Sequence, residues 1–403
     1  MIITEAHGDY RALPECSILK PIHYNQKHYK FVWLGARQTK EKLMQYAQIT
    51  GWGKCVPPAV LSNTDLMTFM DTSDEWITSR TGIQERRVCH CNFSDMAIVA
   101  AQRALAAANL QASEIDLILL GSLTMDSLCP NTASIVQNAI GAHNAASIDI
   151  NSACTGFLYG LHIGTNLIKT GAHSKVLVIG GEFISHYMDW SRRDVAVLFG
   201  DACGAVVIEA SPEPTGLLAC KIGCEMDTTS AIQITNLGSA YSRLDNDFVF
   251  NGWNFEGQEV FKRAIKAMAF ACGEVLAQTG LSIDDVNIMV PHQANRRILD
   301  ALAKRLGIPE HKIMVNVHKY GNTSAGTIPV ALTEALEEDR IKPGDYVLMA
   351  TFGAGLTWGA GLVKWGERTT PLAISDADLP PCDKTGLEIL APHIARYNAR
   401  HEE

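Results

Sequence analysis

The feature that most constrains this chain is the regular alternation of continuous apolar strand-like runs with helix-forming stretches, from about residue 44 to 365. Runs such as Ile115–Gly121, Lys175–Gly180, Gly204–Ala210, Val286–Val290, Tyr346–Thr351 and Thr357–Lys364 lack the polar alternation of a half-solvated strand. Strands of that kind belong in a largely parallel sheet covered on both faces. A shorter strand is predicted at Ser147–Ile150, and the first at Ala47–Gly51 ahead of a Gly/Pro turn. Helices are predicted near Asp95–Ala108, Thr132–Ile140, from Cys154 onward, and over Gly257–Thr279, Asn295–Leu306 and Thr323–Leu336.

The second half repeats the first. KVLVIGGE followed by FGDACGAVVIEA parallels DYVLMATF followed by GAGLTWGAGLVKW, and the strand–turn–helix at Asn151–Leu161 parallels that at Gly321–Leu332. This reads as a duplicated α/β fold with halves at 44–214 and 215–366. Residues 1–43 form an extension of unassigned role, with Met44 a candidate start, and 367–403 form a tail containing Pro380-Pro381 and a short helix.

Composition narrows the function. The net charge of −9 gives no global basic surface for nucleic acid or anionic lipid. No window approaches the ~18 apolar residues of a membrane helix, and the first residues lack the pattern of a signal peptide. Eleven cysteines, an odd number, several inside apolar runs such as LLACKIGC, suit reduced thiols and a cytoplasmic location. Cys89-His90-Cys91 has no second pair at zinc spacing, so no metal site is expected.

Four junctions carry candidate chemistry. Cys154, in DINSACTGFLYGL, sits between a strand and a helix, where helix N–H groups would stabilise a thiolate; the alternative is a small core thiol. His292, in VNIMVPHQANRRI, lies at a strand's C-terminal end, where parallel sheets gather their sites, although a lone histidine is commonly structural. Asn322 precedes a helix, as an N-cap or as an amide donor into a cleft. The turn in TFGAGLTWG allows close backbone approach, for an oxyanion hole or simply for a tight turn.

In that order and setting, Cys, His and Asn form a pattern, and around it the chain resembles β-ketoacyl-[acyl-carrier-protein] synthase III of the thiolase-fold superfamily. The matching blocks are DTSDEWITSRTGIQERR (71–87), SACTGF (152–157), VLFGD (197–201), PHQANRRI (291–298), GNTSAGTIPVAL (321–332) and FGAGLTWGAG (352–361). The resemblance implies Cys154 as acyl-accepting nucleophile, His292 and Asn322 as decarboxylation partners, and the N–H groups of Cys154 and Gly355 as oxyanion donors. It implies Trp76, Arg80, Arg193, Phe261 and Asn295 around coenzyme A. For an acyl carrier protein it implies Gln293, Ala294, Asn295, Arg296, Arg297 and Lys262, with Arg263, Lys304 and Arg305 near. It further implies a homodimer, no resident cofactor, and acyl-CoA and a malonyl thioester as substrates. A degradative thiolase would need a second cysteine in the C-terminal glycine loop, and a hydroxymethylglutaryl-CoA synthase a glutamate motif not found here. A ketosynthase of specialised metabolism with an unusual primer, and a non-catalytic acyl- or carrier-binding protein, stay open. The chain departs from the family at GDACGA (200–205), at Ala354 in the glycine loop, and at Asp194 beside Arg193. Ala354 is expected to reshape the acyl pocket, and Asp194 to weaken contact with phosphates.

Overall fold

A computed structural model describes residues 45–399 apart from 228, 236, 237 and 240–251; the expectations for residues 1–43 and Met44 lie outside the described residues. The strands are β1 (Tyr46–Cys55), β2 (Ala59–Ser62), β3 (Glu85–Val88), β4 (Leu117–Gly121), β5 (Ala146–Ile150), β6 (Lys175–Glu182), β7 (Ala202–Ser211), β8 (Gly216–Cys224), β9 (Ile232–Thr235), β10 (Gly252–Phe255), β11 (Ile288–Pro291), β12 (Tyr346–Gly353) and β13 (Thr357–Lys364). One sheet runs β1-β7-β6-β4-β5 and a second β11-β12-β13-β8.

Apolar strands without polar alternation are explained by burial on both faces. Along β4, Leu117 and Leu119 enter one core, while Ile118 and Leu120 enter another on the opposite face. Along β12, Val347 and Met349 share the first core, whereas Leu348 and Ala350 join a third. The shared core holds Phe157, Leu158 and Leu161 of helix Gly156–Lys169 and Ile328, Leu332 and Leu336 of helix Thr327–Glu337. Two helices are thus sandwiched between the sheets. Helix Phe93–Ala108 covers the outer face of the first sheet, and Gly257–Thr279 that of the second.

Each sheet is mixed. The ladders β4/β5, β4/β6 and β11/β12 are parallel, as expected, but β1/β7, β6/β7, β12/β13 and β8/β13 are antiparallel. The connections decide this: only the turn Ala354–Leu356 separates β12 from β13, too little chain to cross the sheet and return parallel. Strand β8, half-exposed along most of its length, was not predicted: its apolar run LLACKIGC is interrupted by Lys221 and was read only for its cysteines. Neither was helix Asp74–Thr81, whose N-cap Ser73 accepts a hydrogen bond from Trp76 N at 3.0 Å.

The internal repeat reappears as backbone geometry. Ala153 (φ 49°) and Ser324 (φ 50°) each open a 3₁₀ turn, Ala153–Thr155 and Ser324–Gly326, that runs directly into one of the two central helices. The tail forms a helix, Gly386–Ala399, whose Leu390 and Ile394 pack with Leu61, Val88 and Trp190.

Candidate active site

The two turns meet beneath a cavity of about 650 Å³ lined by Cys154, His292 and Asn322, with Trp76, Arg80, Phe261, Lys262, Ala294, Asn295 and Arg297 also in its wall. His292 is 3% and Asn322 6% exposed, whereas Arg80, Lys262 and Arg297 are exposed. The cavity therefore has a floor of half-buried Cys154 with buried His292 and Asn322, and a basic rim.

Each floor residue is fixed by its element. Cys154 lies in the 3₁₀ turn after β5, and its carbonyl accepts from Thr351 Oγ1 of β12 at 3.0 Å. Gly353 packs against it so closely that a Cβ there would lie 2.9 Å from Cys154 N. His292 follows β11; its Nδ1 is 2.7 Å from Thr327 Oγ1, which also lies 2.9 Å from Ser324 O. Asn322 Oδ1 accepts from Ser324 N at 2.8 Å, so its Nδ2 is the end left for the cavity. Ser324 Oγ lies 3.3 Å from Cys154 Sγ, the one hydrogen bond to that sulfur among the described residues.

Burial sets the electrostatics. It pushes the Cys154 thiol up to about 12, against the lowering expected from the helix terminus. The helix proper begins only at Gly156, and loss of water around a thiolate outweighs its partial charge. Burial likewise lowers His292 to about 3, so its ring is neutral at physiological pH.

At the rim, the guanidinium groups of Arg80 and Arg193 stand 4.7 and 5.1 Å from the Trp76 ring centre, and Arg297 lies 6.0 Å from that of Phe261. Arg193 also donates to Asp71 O at 2.6 Å. Asp194 lines the cavity, but Arg192 grips it with Nε and a terminal nitrogen at 2.8 and 2.6 Å and keeps its carboxyl below the usual range. Its charge is therefore locally balanced. Ala354 is not among the lining residues, so the expected reshaping of the pocket has no support there.

One expected carrier contact needs correction. Gln293 is 1% exposed; its Nε2 donates to Pro291 O and Met314 O at 2.9 and 3.0 Å, and its Oε1 accepts from Asn316 N at 3.0 Å. It is a structural clamp with no surface to offer a partner. Arg296 is bound by Asp300 at 2.7 Å and by Glu310, and Arg263 by Glu225, Asp227 and Glu259. Among the ion pairs of the described residues none involves Lys262, Arg297, Lys304 or Arg305, so these carry the available positive charge. Asn295 caps helix Arg296–Leu306 through Arg297 N at 2.8 Å and donates to Arg80 O at 3.2 Å, joining two parts of the rim.

Sequence reasoning missed Gly353 and Ser324. Both lie inside motifs read as such, but only the approach of the end of β12 and of the turn Ser324–Gly326 to the nucleophile's turn gives them contacts with Cys154. For Gly355, φ is 131°, open to glycine. Its turn packs on the turn of Cys154 and is tied there by Thr357 Oγ1, 3.1 Å from Thr155 Oγ1 and 3.2 Å from Ser152 O.

Two sheets enclosing paired helices, with the cavity where the two turns converge, define an acyl-transferring condensing enzyme of the thiolase fold. Residues 148–225 match the family described as 3-Oxoacyl-[acyl-carrier-protein (ACP)] synthase III, and residues 276–365 match the one described as its C terminal part. Beta-ketoacyl-[acyl-carrier-protein] synthase III 2 of Vibrio vulnificus (strain YJ016) is 53% identical over 358 residues, 89% of this chain and 99% of that protein. Beta-ketoacyl-[acyl-carrier-protein] synthase III of Roseiflexus castenholzii is 43% identical over 331 residues, 80% of this chain and 99% of the relative. The crystal structure of 3-oxoacyl-[acyl-carrier-protein] synthase III from Aquifex aeolicus VF5 superposes with TM-score 0.75 at 43% identity, covering 79% of this chain and 100% of that one. The chain belongs to the β-ketoacyl-[acyl-carrier-protein] synthase III family.

Proposed function

We propose that this enzyme transfers an acyl group from acyl-CoA to Cys154 and condenses it with malonyl-acyl-carrier protein, releasing carbon dioxide and β-ketoacyl-carrier protein. The observation that carries this reading is the single cavity joining a half-buried cysteine and a buried histidine and asparagine to an aromatic and basic rim. Cys154 sulfur attacks the thioester carbonyl, and the N–H groups of Cys154 and Gly355 receive the oxyanion. Coenzyme A leaves past Phe261, with Trp76, Arg80, Arg193 and Asn295 as its contacts at the rim. The malonyl thioester then enters. Asn322 Nδ2 and His292 Nε2 donate to its carbonyl as decarboxylation builds enolate charge, and the carbanion attacks the acyl-cysteine. Thr327 Oγ1, 2.7 Å from Nδ1, fixes the ring and leaves Nε2 for the thioester; the Nε2–H tautomer that this role needs forms when the Thr327 hydroxyl turns from Ser324 O to Nδ1.

Lys262, Arg297 and the neighbouring Ala294 and Asn295 are the proposed contacts of an acidic carrier protein, which the exposed, unpaired charges favour. The substrates are soluble thioesters and the nucleophile a reduced thiol, which suits the cytoplasm. The enzyme is proposed to need no resident cofactor and to work as a homodimer: β5 is an outer strand of its sheet, with Ile148 48% exposed.

The test is intact-protein mass after incubation with acyl-CoAs of increasing chain length. A single acyl adduct absent from Cys154→Ala is expected. Equal adduct on that variant would remove Cys154 from the mechanism, and preference for a long or branched primer would point to specialised metabolism.

A further inference from the structure

Behind Cys154 lies a buried carboxylate that the steps above leave unused. Glu182 ends β6, is fully buried, and receives only neutral donors. Ser122 Oγ, Thr124 Oγ1 and Thr124 N lie 3.0, 2.6 and 3.1 Å from Oε2, and Leu123 N is 3.1 Å from Oε1. The remaining donor is Ser324 Oγ, 3.1 Å from Oε1 and 3.3 Å from Cys154 Sγ. Ser324 therefore bridges thiol and carboxylate.

A hydroxyl has one proton and serves one acceptor at a time. An ionised carboxylate is the stronger acceptor, so the Ser324 proton turns toward Glu182, and the lone pairs of Oγ face the thiol. His292, by contrast, is engaged at Nδ1 by Thr327.

We propose that Glu182 is the proton acceptor for Cys154, acting through the Ser324 hydroxyl. This rests on Cys154 being the nucleophile. As the S–C bond forms at the thioester carbonyl, the thiol proton passes to Ser324 Oγ and the Ser324 proton to Glu182 Oε1. The carbonyl π electrons move onto oxygen. When the tetrahedral adduct collapses, the bond to the coenzyme A sulfur breaks, and the proton held by Glu182 returns through Ser324 to the departing thiolate. Charge and protons balance, and no other reactant is needed.

The electrostatics suit this. Burial raises Glu182 to about 7, near the working pH, where a general base is most effective. The titratable groups facing it are Cys154, Cys203 of β7 and Tyr187 of the turn after β6; burial raises each above its ordinary value, so all are neutral near pH 7. No thiolate stands ready, so the proton must leave as the bond forms.

The experiment follows acyl transfer from acyl-CoA to Cys154 alone, by quenched intact mass between pH 5 and 9, in the native enzyme, Glu182→Gln and Ser324→Ala. In the native enzyme the rate should rise with pH and level off above about 7, as the carboxylate ionises. Glu182→Gln should be about 100-fold slower at pH 7, with a rate still climbing in proportion to hydroxide at pH 9. Ser324→Ala should show the same lost plateau, and decides the question should the glutamine variant not fold. A native-shaped pH profile in either variant, scaled down or not, would overturn the relay and leave Glu182 structural. Failure of the native enzyme to form an adduct would overturn the nucleophile instead.

Discussion

At the nucleophile, two influences on the thiol oppose each other. Position at a helix start favours a thiolate, burial favours the neutral thiol, and burial prevails, raising Cys154 to about 12. The same burial holds His292 neutral, with a second proton gained only near pH 3. Its protonation therefore does not change between pH 5 and 8, and condensation measured on pre-acylated enzyme should show no acid limb from this residue there. In the same assay Asn322→Ala should leave acyl transfer intact but slow condensation by about 10²–10³, the effect of losing one oxyanion donor, about 2.7–4 kcal/mol. Equal loss in both half-reactions would show that the amide serves the nucleophile too. The identities of Cys154, His292 and Asn322 were legible because each stands just ahead of a helix inside a recognisable motif, although a short helix, Val317–Tyr320, and not the expected strand, leads to Asn322. The thiol's ionisation was not, because it depends on water excluded by segments remote in sequence.

At the scale of elements, the 3₁₀ turn that runs into a central helix is the working part. Ala153 and Ser324 hold left-handed backbones that turn the chain sharply into a helix, a conformation costly for residues other than glycine. The end of β12 then closes on the first of these turns through Gly353. Gly353→Ala would set a methyl 2.9 Å from Cys154 N and 3.1 Å from its Cβ, so the turn must shift. A misplaced nucleophile should slow acyl transfer by about 100-fold, read by adduct formation at a temperature where circular dichroism shows the variant folded. A native rate would mean that the turn yields without moving the sulfur. The sequence marked this loop as glycine-rich but singled out Gly355. Which glycine touches the cysteine depends on how the two sheets face each other, which no local pattern contains.

At the scale of the molecule, an acidic chain keeps a basic rim by pairing some cations and leaving others free. Arg263 and Arg296 are neutralised by neighbouring carboxylates, while Lys262 and Arg297 are not. Reversing those two charges to glutamate should raise KM for the malonyl carrier about tenfold at low salt, with the effect shrinking as salt rises. An unchanged KM would move the docking face elsewhere. The open edge of the first sheet at β5 leads to the expectation of a dimer, and light scattering should report twice the chain mass; a monomeric mass at assay concentration would refute it. The tail helix packs beside β2 and β3 through Leu390 and Ile394, and among the described residues none of the tail lines the cavity.

By itself the sequence determined the alternation of the main strands and helices, the internal repeat and the three residues at the cavity floor. Those properties are written locally, in hydrophobic period, in turn residues and in short motifs. Tertiary structure alone decided which ladders run antiparallel, that Gln293 is buried as a clamp, that Gly353 abuts the nucleophile, and that Ser324 links it to Glu182. Each of these depends on groups far apart in the chain meeting where water is excluded, and only the packed sheets and helices bring them together.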